Sequence, residues 1–291
     1  MRKLIITALF LMLFSFKGAF SQNSGNVDYY SVIDWETGRL LINLETDFPP
    51  GTDSLQLRTF TENFFKKNFF DIFIDSIKSD INGVVYYDSM NTVEESIREN
   101  PSILSRIDEI GRNALRIYST FSNDMSNMRI QYKLDIYRDA AAHFVTHRYP
   151  ERAEKTLSWV SSADFTGVVI YAAGEYPVHG ETAAARLNRA FFPAVYDINM
   201  RRVLHEKMVD PEVISLQGPV TYLSDPDSEK IRKYAGDRPM FTMARKIFGR
   251  YRTDILIPSE AADKLFYNGR NISLAEEGRF VIITTPPSER P

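Results

Sequence analysis

The residues best suited to chemistry are few. The chain of 291 residues holds four histidines and no cysteine. His143 and His147 stand four apart, a spacing that puts both on one face of a helix or a strand and would let them share a metal. The residues between them, Phe144, Val145 and Thr146, lack the glutamate that serves as general base in the zinc-peptidase motif. No third ligand is fixed by spacing, so the pair reads as two imidazoles near a domain junction, with no metal assigned. Glu175, His179 and Glu181 cluster in one loop, Gly174 to Glu181, and are the candidate ligand-binding residues. A carboxylate beside an imidazole can exchange protons, while Gly174, Pro177 and Gly180 are also the ordinary makings of a surface turn. Arg245, Lys246, Arg250 and Arg252 surround Gly249, with Phe248 and Tyr251 interleaved. This basic patch suits an anionic polymer or headgroup, or serves to keep an edge hairpin soluble. Ser158 to Ser162 lack the nucleophile-elbow spacing, and the 14 glycines never cluster into a phosphate cradle. The expectation is a protein with no catalytic residue and no cofactor.

The elements that must position these residues fall into two regions. Tyr29–Asp34 and Arg39–Thr46 are β-rich runs joined through Trp35 to Gly38, where Gly38 supplies the positive φ of a short hairpin loop. Trp35 is expected to pack on its hairpin neighbours. After the break at Phe48 to Gly51, residues 53–81 predict a helix, capped by Thr52 or Asp53. Its stripe of Leu57, Phe60, Phe64, Phe65, Phe69, Phe73, Ile77 and Ile81 is expected to be core. Asn82-Gly83 turns into a strand over 84–87. Thr92 and Glu95 form a capping-box pattern, and residues 102–110 predict a further helix. Met128, Ile130, Tyr132, Leu134 and Ile136 alternate with polar residues, which predicts a strand with one buried face. Residues 115–121 are its expected partner through the turn Ser122 to Asp124.

A linker is expected between Arg148 and Ser158. Beyond it the chain reads as mostly β, with strands at 168–171, 194–196, 203–205 and 220–223. A hairpin is expected over 240–257, then a helix over 260–267 stopped by Gly269, and a last strand over 280–284. The fold class is therefore α+β, antiparallel sheets with helices packed on them. The expected organisation is a signal peptide 1–21, an N-terminal α+β domain 22–155, a mostly-β C-terminal domain 156–285 and a tail 286–291.

The signal is read from Arg2 and Lys3, the apolar run Leu4 to Phe16, and the small residues of Ala19-Phe20-Ser21. The run is too short for a resident membrane helix and has the flanks of an export signal. Cleavage after Ser21 would remove Arg2, Lys3 and Lys17 and no acid, moving the formal charge from −3 to −6. That charge excludes nucleic acid as a bulk partner. Without cysteine there are no disulfides and no lipid on the new N-terminus, so 20 Phe and 15 Tyr must supply much of the stability by burial.

From Thr166 a resemblance emerges. Thr166 to Gly174 looks like the "TGLVIDARG" opening of a domain of small outer-membrane lipoproteins and flagellar accessory proteins. Phe192 to Asp197 is similar to its "SPRIYDE" strand, Asp237 to Met240 to its "DNPL" corner, and Thr253 to Ala262 to its "TDIVIS-x-x-DA" strand and helix. The chain departs from that pattern at Tyr171 and Ala173, and in an insertion over 181–188 expected to hold a helical turn or two. Ile33 to Gly38, with the signal, also resembles periplasmic proteins of spirochaetes. These resemblances bring no catalytic residues. They imply a non-enzymatic periplasmic protein acting by protein–protein contact in the envelope or a periplasmic flagellar assembly. Its partners would be other envelope proteins, with self-association a further option and no membrane span in the mature chain. The alternative is a small-ligand or glycan binder using the groove between the two regions and the loop over 175–181.

Overall fold

A computed structural model describes residues 26–48, 53–81, 83–107, 114–124, 126–155 and 160–285. The signal, Pro49 to Thr52, Asn82, Ile110, Ser158 and the tail over 286–291 lie outside the described residues. Among those described, the architecture is α+β.

The N-terminal region is built on a four-stranded antiparallel sheet ordered β1–β2–β6–β5. Its strands are β1 (Asn26–Asp34), β2 (Arg39–Asp47), β5 (Leu115–Phe121) and β6 (Asn127–Asp135). Alternation does the work expected of it. Leu40, Ile42 and Leu44 stand opposite Leu134, Tyr132 and Ile130 on the buried face. Ile136 leaves the strand because the Asp135 carboxylate accepts from the Tyr137 and Arg138 amides, 3.0 Å each. That caps a single helical turn, Ile136–Asp139, our α4 once the helices before it are numbered.

Helix α1 (Ser54–Lys78) lies on the buried face of the sheet. Leu57, Phe65, Phe69, Phe73 and Ile77 are buried, and the Phe65 ring stacks on Tyr132 at 3.6 Å between centroids. Each buried ring contributes on the order of 1.5–3 kcal/mol. Ile81 does not join them. The helix ends at Lys78 and hands over to the short hairpin β3 (Ser79–Asp80) and β4 (Gly83–Val84), leaving Ile81 exposed. Asp53 occupies the N-cap position, yet its side chain makes no capping bond. Helix α2 (Val93–Glu99) opens on the full capping box. The Glu95 amide donates to the Thr92 hydroxyl at 3.1 Å, and the Thr92 amide donates to the Glu95 carboxylate at 2.8 Å. A short helix α3 (Ser102–Ile107) follows.

The C-terminal region holds a sheet that alternation could not announce. Strands β7 (Val168–Ala172), β12 (Thr221–Leu223), β13 (Met240–Met243) and β16 (Phe280–Thr284) run parallel in the order β12–β16–β7–β13. A second sheet, ordered β11–β10–β15–β14, contains β10 (Val195–Asp197), β11 (Arg202–Leu204), β14 (Lys246–Phe248) and β15 (Asp254–Ile257). The expected hairpin about Gly249 is β14–β15, while Met240–Met243 leaves it at Ala244 to join the parallel sheet. Strands β8 (Glu175–Pro177) and β9 (Ala184–Arg186) form a small hairpin, so the insertion is extended rather than helical.

Among the described residues, four α-helices complete this region: α5 (Pro211–Gln217), α6 (Ser228–Ala235), α7 (Ser259–Phe266) and α8 (Gly269–Glu276). Gly269 starts α8 instead of merely stopping α7, because the Asn268 side chain accepts from the Asn271 amide at 2.8 Å.

The two regions share one core. Trp35 packs on Phe191 and Tyr222 of the C-terminal region, at 6.0 and 5.7 Å between centroids. Its place is therefore the seam rather than the hairpin alone. Tyr87 meets Phe192 at 5.0 Å, and the Phe191 and Phe192 amides donate to the carbonyls of Tyr86 and Tyr87. The Tyr137 ring is held between Gly38 and Gly218, whose φ values are +65° and +79°. A Cβ at either glycine would fall within 2.6 Å of that ring. Both positions thus need glycine twice, for the turn and for the close approach.

Candidate interaction surface

The residues singled out from sequence are placed as follows. His143 lies within a 3-10 turn (Ala141–Phe144) and His147 lies in the loop beyond it, so no single regular element sets them on one face. The His147 Nε2 is 2.8 Å from the Val209 carbonyl, and its Nδ1 is 4.0 Å from a Glu206 carboxylate oxygen. No cluster of three metal-ligating side chains occurs among the described residues.

Glu175 opens β8, and His179 and Glu181 lie in the loop between β8 and β9, each with separate neighbours. Glu175 is 4.0 Å from Arg186, Glu181 pairs with Arg252 at 2.8 Å, and the His179 ring packs on Phe248. The groove expected between the two regions is filled by the aromatic seam just described.

The basic patch divides. Arg252 is taken by Glu181. Arg250 is 3.5 Å from Glu95 and stacks over Tyr251 at 4.8 Å. Arg245 and Lys246 are exposed with no ion-pair partner among the described residues. Lys246 opens β14, and Arg245 stands before it, one residue beyond Ala244 and the end of β13.

That strand borders the surface that sequence reasoning missed. One face of the parallel sheet, with Val168, Ile170, Phe280 and Ile282, belongs to the main core. The other carries two rows set by the strand register. Thr221, Val281, Val169 and Phe241 form one, and Leu223, Ile283, Tyr171 and Met243 form the other. Helix α6 covers the inner part of these rows with Ile231 and Ala235. Beyond it the strip over β7 and β13 is bare: Phe241 is 65% exposed, Met243 58% and Tyr171 41%. The result is a groove of about 720 Å³ floored by Val169 and Tyr171, walled by α6 on one side and by Phe241 and Met243 on the other.

Helix α6 is fixed at several points. The Asp227 carboxylate caps it, accepting from the Glu229 and Lys230 amides at 2.9 Å each. The Thr166 hydroxyl donates to the Ala235 carbonyl at 2.8 Å and accepts from the Arg238 amide at 2.9 Å. Lys230 reaches Glu36 of the N-terminal region at 2.9 Å. The groove wall therefore depends on both regions. Strand β13 is an edge strand, with no neighbour on its outer side among the described residues. The signals for α6 were present in Asp227, Gly236 and the four-residue spacing of Ile231 and Ala235.

Asp254, Glu206 and His205 lie elsewhere, at the start of β15 and just beyond β11. Burial pushes the Asp254 carboxyl up to about 6, against bonds from the Ala194 amide and the Ser89 hydroxyl that favour the ionised form. Burial also raises Glu206, with His147 pulling it back, and lowers His205. Burial is the first cause of each shift, and Asp254 ties Ser89 to β15 by accepting from its hydroxyl.

Comparison with known proteins follows the two-part division. Residues 26–143 match the family model of the N-terminal domain of Treponema pallidum Tp0624, and residues 167–286 match that of its second domain. No curated protein matches the chain. Of the two resemblances read in the sequence, the one to spirochaete proteins holds, while the C-terminal match is to the second Tp0624 domain and not to an envelope or flagellar domain. The chain is therefore similar to Treponema pallidum Tp0624 in two successive parts, its N-terminal and its second domain, in that order.

Proposed function

We propose that this chain is an exported, non-enzymatic protein of the periplasm or cell envelope that works by docking a partner protein on the bare strip of its parallel sheet. One observation carries the reading. Faces of parallel sheets are ordinarily covered by helices, and here half of one face presents Tyr171, Phe241 and Met243 to solvent. Large side chains gathered in one groove mark an interaction site more than isolated exposed residues do. The signal-like residues 1–21 support export. No helix among the described residues is long and apolar enough to cross a membrane, which fits a role at a surface contact.

The test is the size of the native assembly. In gently extracted envelope fractions the chain sediments in a complex larger than itself. The double substitution Phe241→Glu with Met243→Glu returns it to the size of the free chain, with unchanged far-ultraviolet dichroism because both side chains are exposed. A native form that already has the size of the free chain, or a complex indifferent to the substitution, removes the proposal.

A further inference from the structure

We infer that His147 and Glu206 hold one proton between them, and that this proton latches the segment leaving the N-terminal region onto the C-terminal region. Loss of the proton opens the latch. It shares no residue with the docking groove.

Geometry fixes where the proton goes. The His147 Nε2 is 2.8 Å from the Val209 carbonyl. A carbonyl only accepts, so Nε2 carries a hydrogen in the neutral ring and in the charged one. Nδ1 is therefore the atom that gains or loses the second proton. It is buried with no hydrogen-bond partner among the described residues. A Glu206 carboxylate oxygen lies 4.0 Å from it, and the two side chains are only 10% and 13% exposed. With the proton between them, a donor faces an acceptor. Without it, a lone pair faces a full negative charge away from water, which leaves both groups unsatisfied.

The surroundings sharpen that choice. Burial and the nearby Asp88 carboxylate disfavour ionised Glu206, while His147 and Lys207 favour it. The Tyr87 phenol stands beside Glu206 and Asp88 and is kept protonated by burial and by both carboxylates. Losing the proton removes one of the two cations that balance Glu206 against Asp88. The pair titrates as a unit, because each member sets the other's charge.

The pair also sits where release has an effect. Residues 145–155 form no helix or strand, so a few contacts dock them. Glu206 opens a 3-10 turn (Glu206–Met208), and Val209 follows it. The same two stretches meet again where the Glu151 amide donates to the Lys207 carbonyl at 2.7 Å, and where Glu151 approaches Arg202 at 3.9 Å. The sign follows from Glu206. Burial raises it, so its contribution is present in full at low pH and is lost as pH rises through its folded value. The neighbouring His205 runs the other way. Burial, Arg202 and Lys207 lower it against Glu151 and Asp88, so its contribution is lost as pH falls. The latch accordingly opens on the alkaline side, and a change at Glu206 or His147 alone separates it from His205.

Amide hydrogen exchange of the full chain, corrected for the intrinsic pH dependence of exchange, tests the latch. Protection of the Glu151 amide is expected to fall about tenfold between about pH 6 and pH 8, while the amides of β6 keep theirs. In Glu206→Gln the side-chain amide donates to Nδ1 at every pH, so the fall disappears. In His147→Gln the side-chain amide still donates to the Val209 carbonyl and takes up no proton, so the fall disappears again. Should one variant fail to fold, the other carries the test. Nitrogen-15 resonances of the His147 ring should show a hydrogen on Nε2 throughout, and one on Nδ1 that is present near pH 6 and gone near pH 8. Constant Glu151 protection in the parent chain overturns the inference. So does a fall of the same size in either variant, or a neutral ring with its hydrogen on Nδ1.

Discussion

Replacing Trp35 with alanine is expected to lower the unfolding free energy by about 3–5 kcal/mol, the range for deleting a large aromatic from a core. The ring is 9% exposed and sits across the seam, tilted against Phe191 and edge-on to Tyr222. Tyr222 is itself only 1% exposed, and its hydroxyl accepts from the Ala190 amide at 3.1 Å. Little there can move to close the space. Each edge-on aromatic pair adds about 0.5–1.5 kcal/mol beyond area burial. The measurement is urea unfolding followed by dichroism and by fluorescence. The parent chain should unfold in one coincident transition, because the aromatic seam joins both regions into one core. The variant should show the lowered midpoint. A loss below about 1 kcal/mol would mean that the hairpin turn does not clamp the C-terminal region.

Asp254→Asn should stabilise the chain at neutral pH and flatten its acid profile. The carboxyl is 2% exposed at the start of β15, and burial raises it from 3.8 to about 6. A folded-state value above the unfolded one means that the protonated group is the one the fold prefers. Its contribution is present in full below about 3.8 and is lost as pH rises through about 6. Above that pH the buried charge costs up to about 3 kcal/mol. Asparagine keeps an oxygen for the Ala194 amide, which donates to Asp254 Oδ1 at 3.0 Å, and has no charge to bury. A gain of about 1–3 kcal/mol at pH 7.5 is expected, shrinking to nothing near pH 4. His205 works in the opposite sense, because burial lowers it and stability is lost as pH falls through its range. The difference between variant and parent, measured by chemical unfolding from pH 4 to 8, isolates Asp254. A variant less stable at pH 7.5 would show that the carboxylate is needed ionised.

What the sequence made legible follows from element length and from how many faces are buried. Residues 128–134 alternate because one face of β6 meets α1 and the other meets water, so both the strand and its orientation could be read. The phenylalanine stripe of α1 was equally plain over twenty-five residues. In the parallel sheet, both faces of β16 are buried, and β12 has only three residues. Such runs carry no alternation, and nothing local says that residue 168 pairs with residues 240 and 280. Helices α5, α6 and α8 have seven or eight residues each, too short for a clear stripe.

The candidate surface was hidden for the same reason. Phe241 and Met243 read as ordinary strand residues until the register set them beside Val169 and Tyr171 with no helix above. Arg245 and Lys246 were visible as charges, but grouped with Arg250 and Arg252, which Glu95 and Glu181 already occupy. Trp35 was expected to pack on its hairpin neighbours, while the rings it meets, Phe191 and Tyr222, lie far along the chain.

Photo-crosslinking in living cells tests the working surface most directly. A benzophenone amino acid at position 241 or 243 should yield one discrete adduct with a partner protein. The same group at Leu216, which is 77% exposed on α5 and does not line the groove, should yield none. No adduct from either groove position, or the same adducts from all three, would contradict the account.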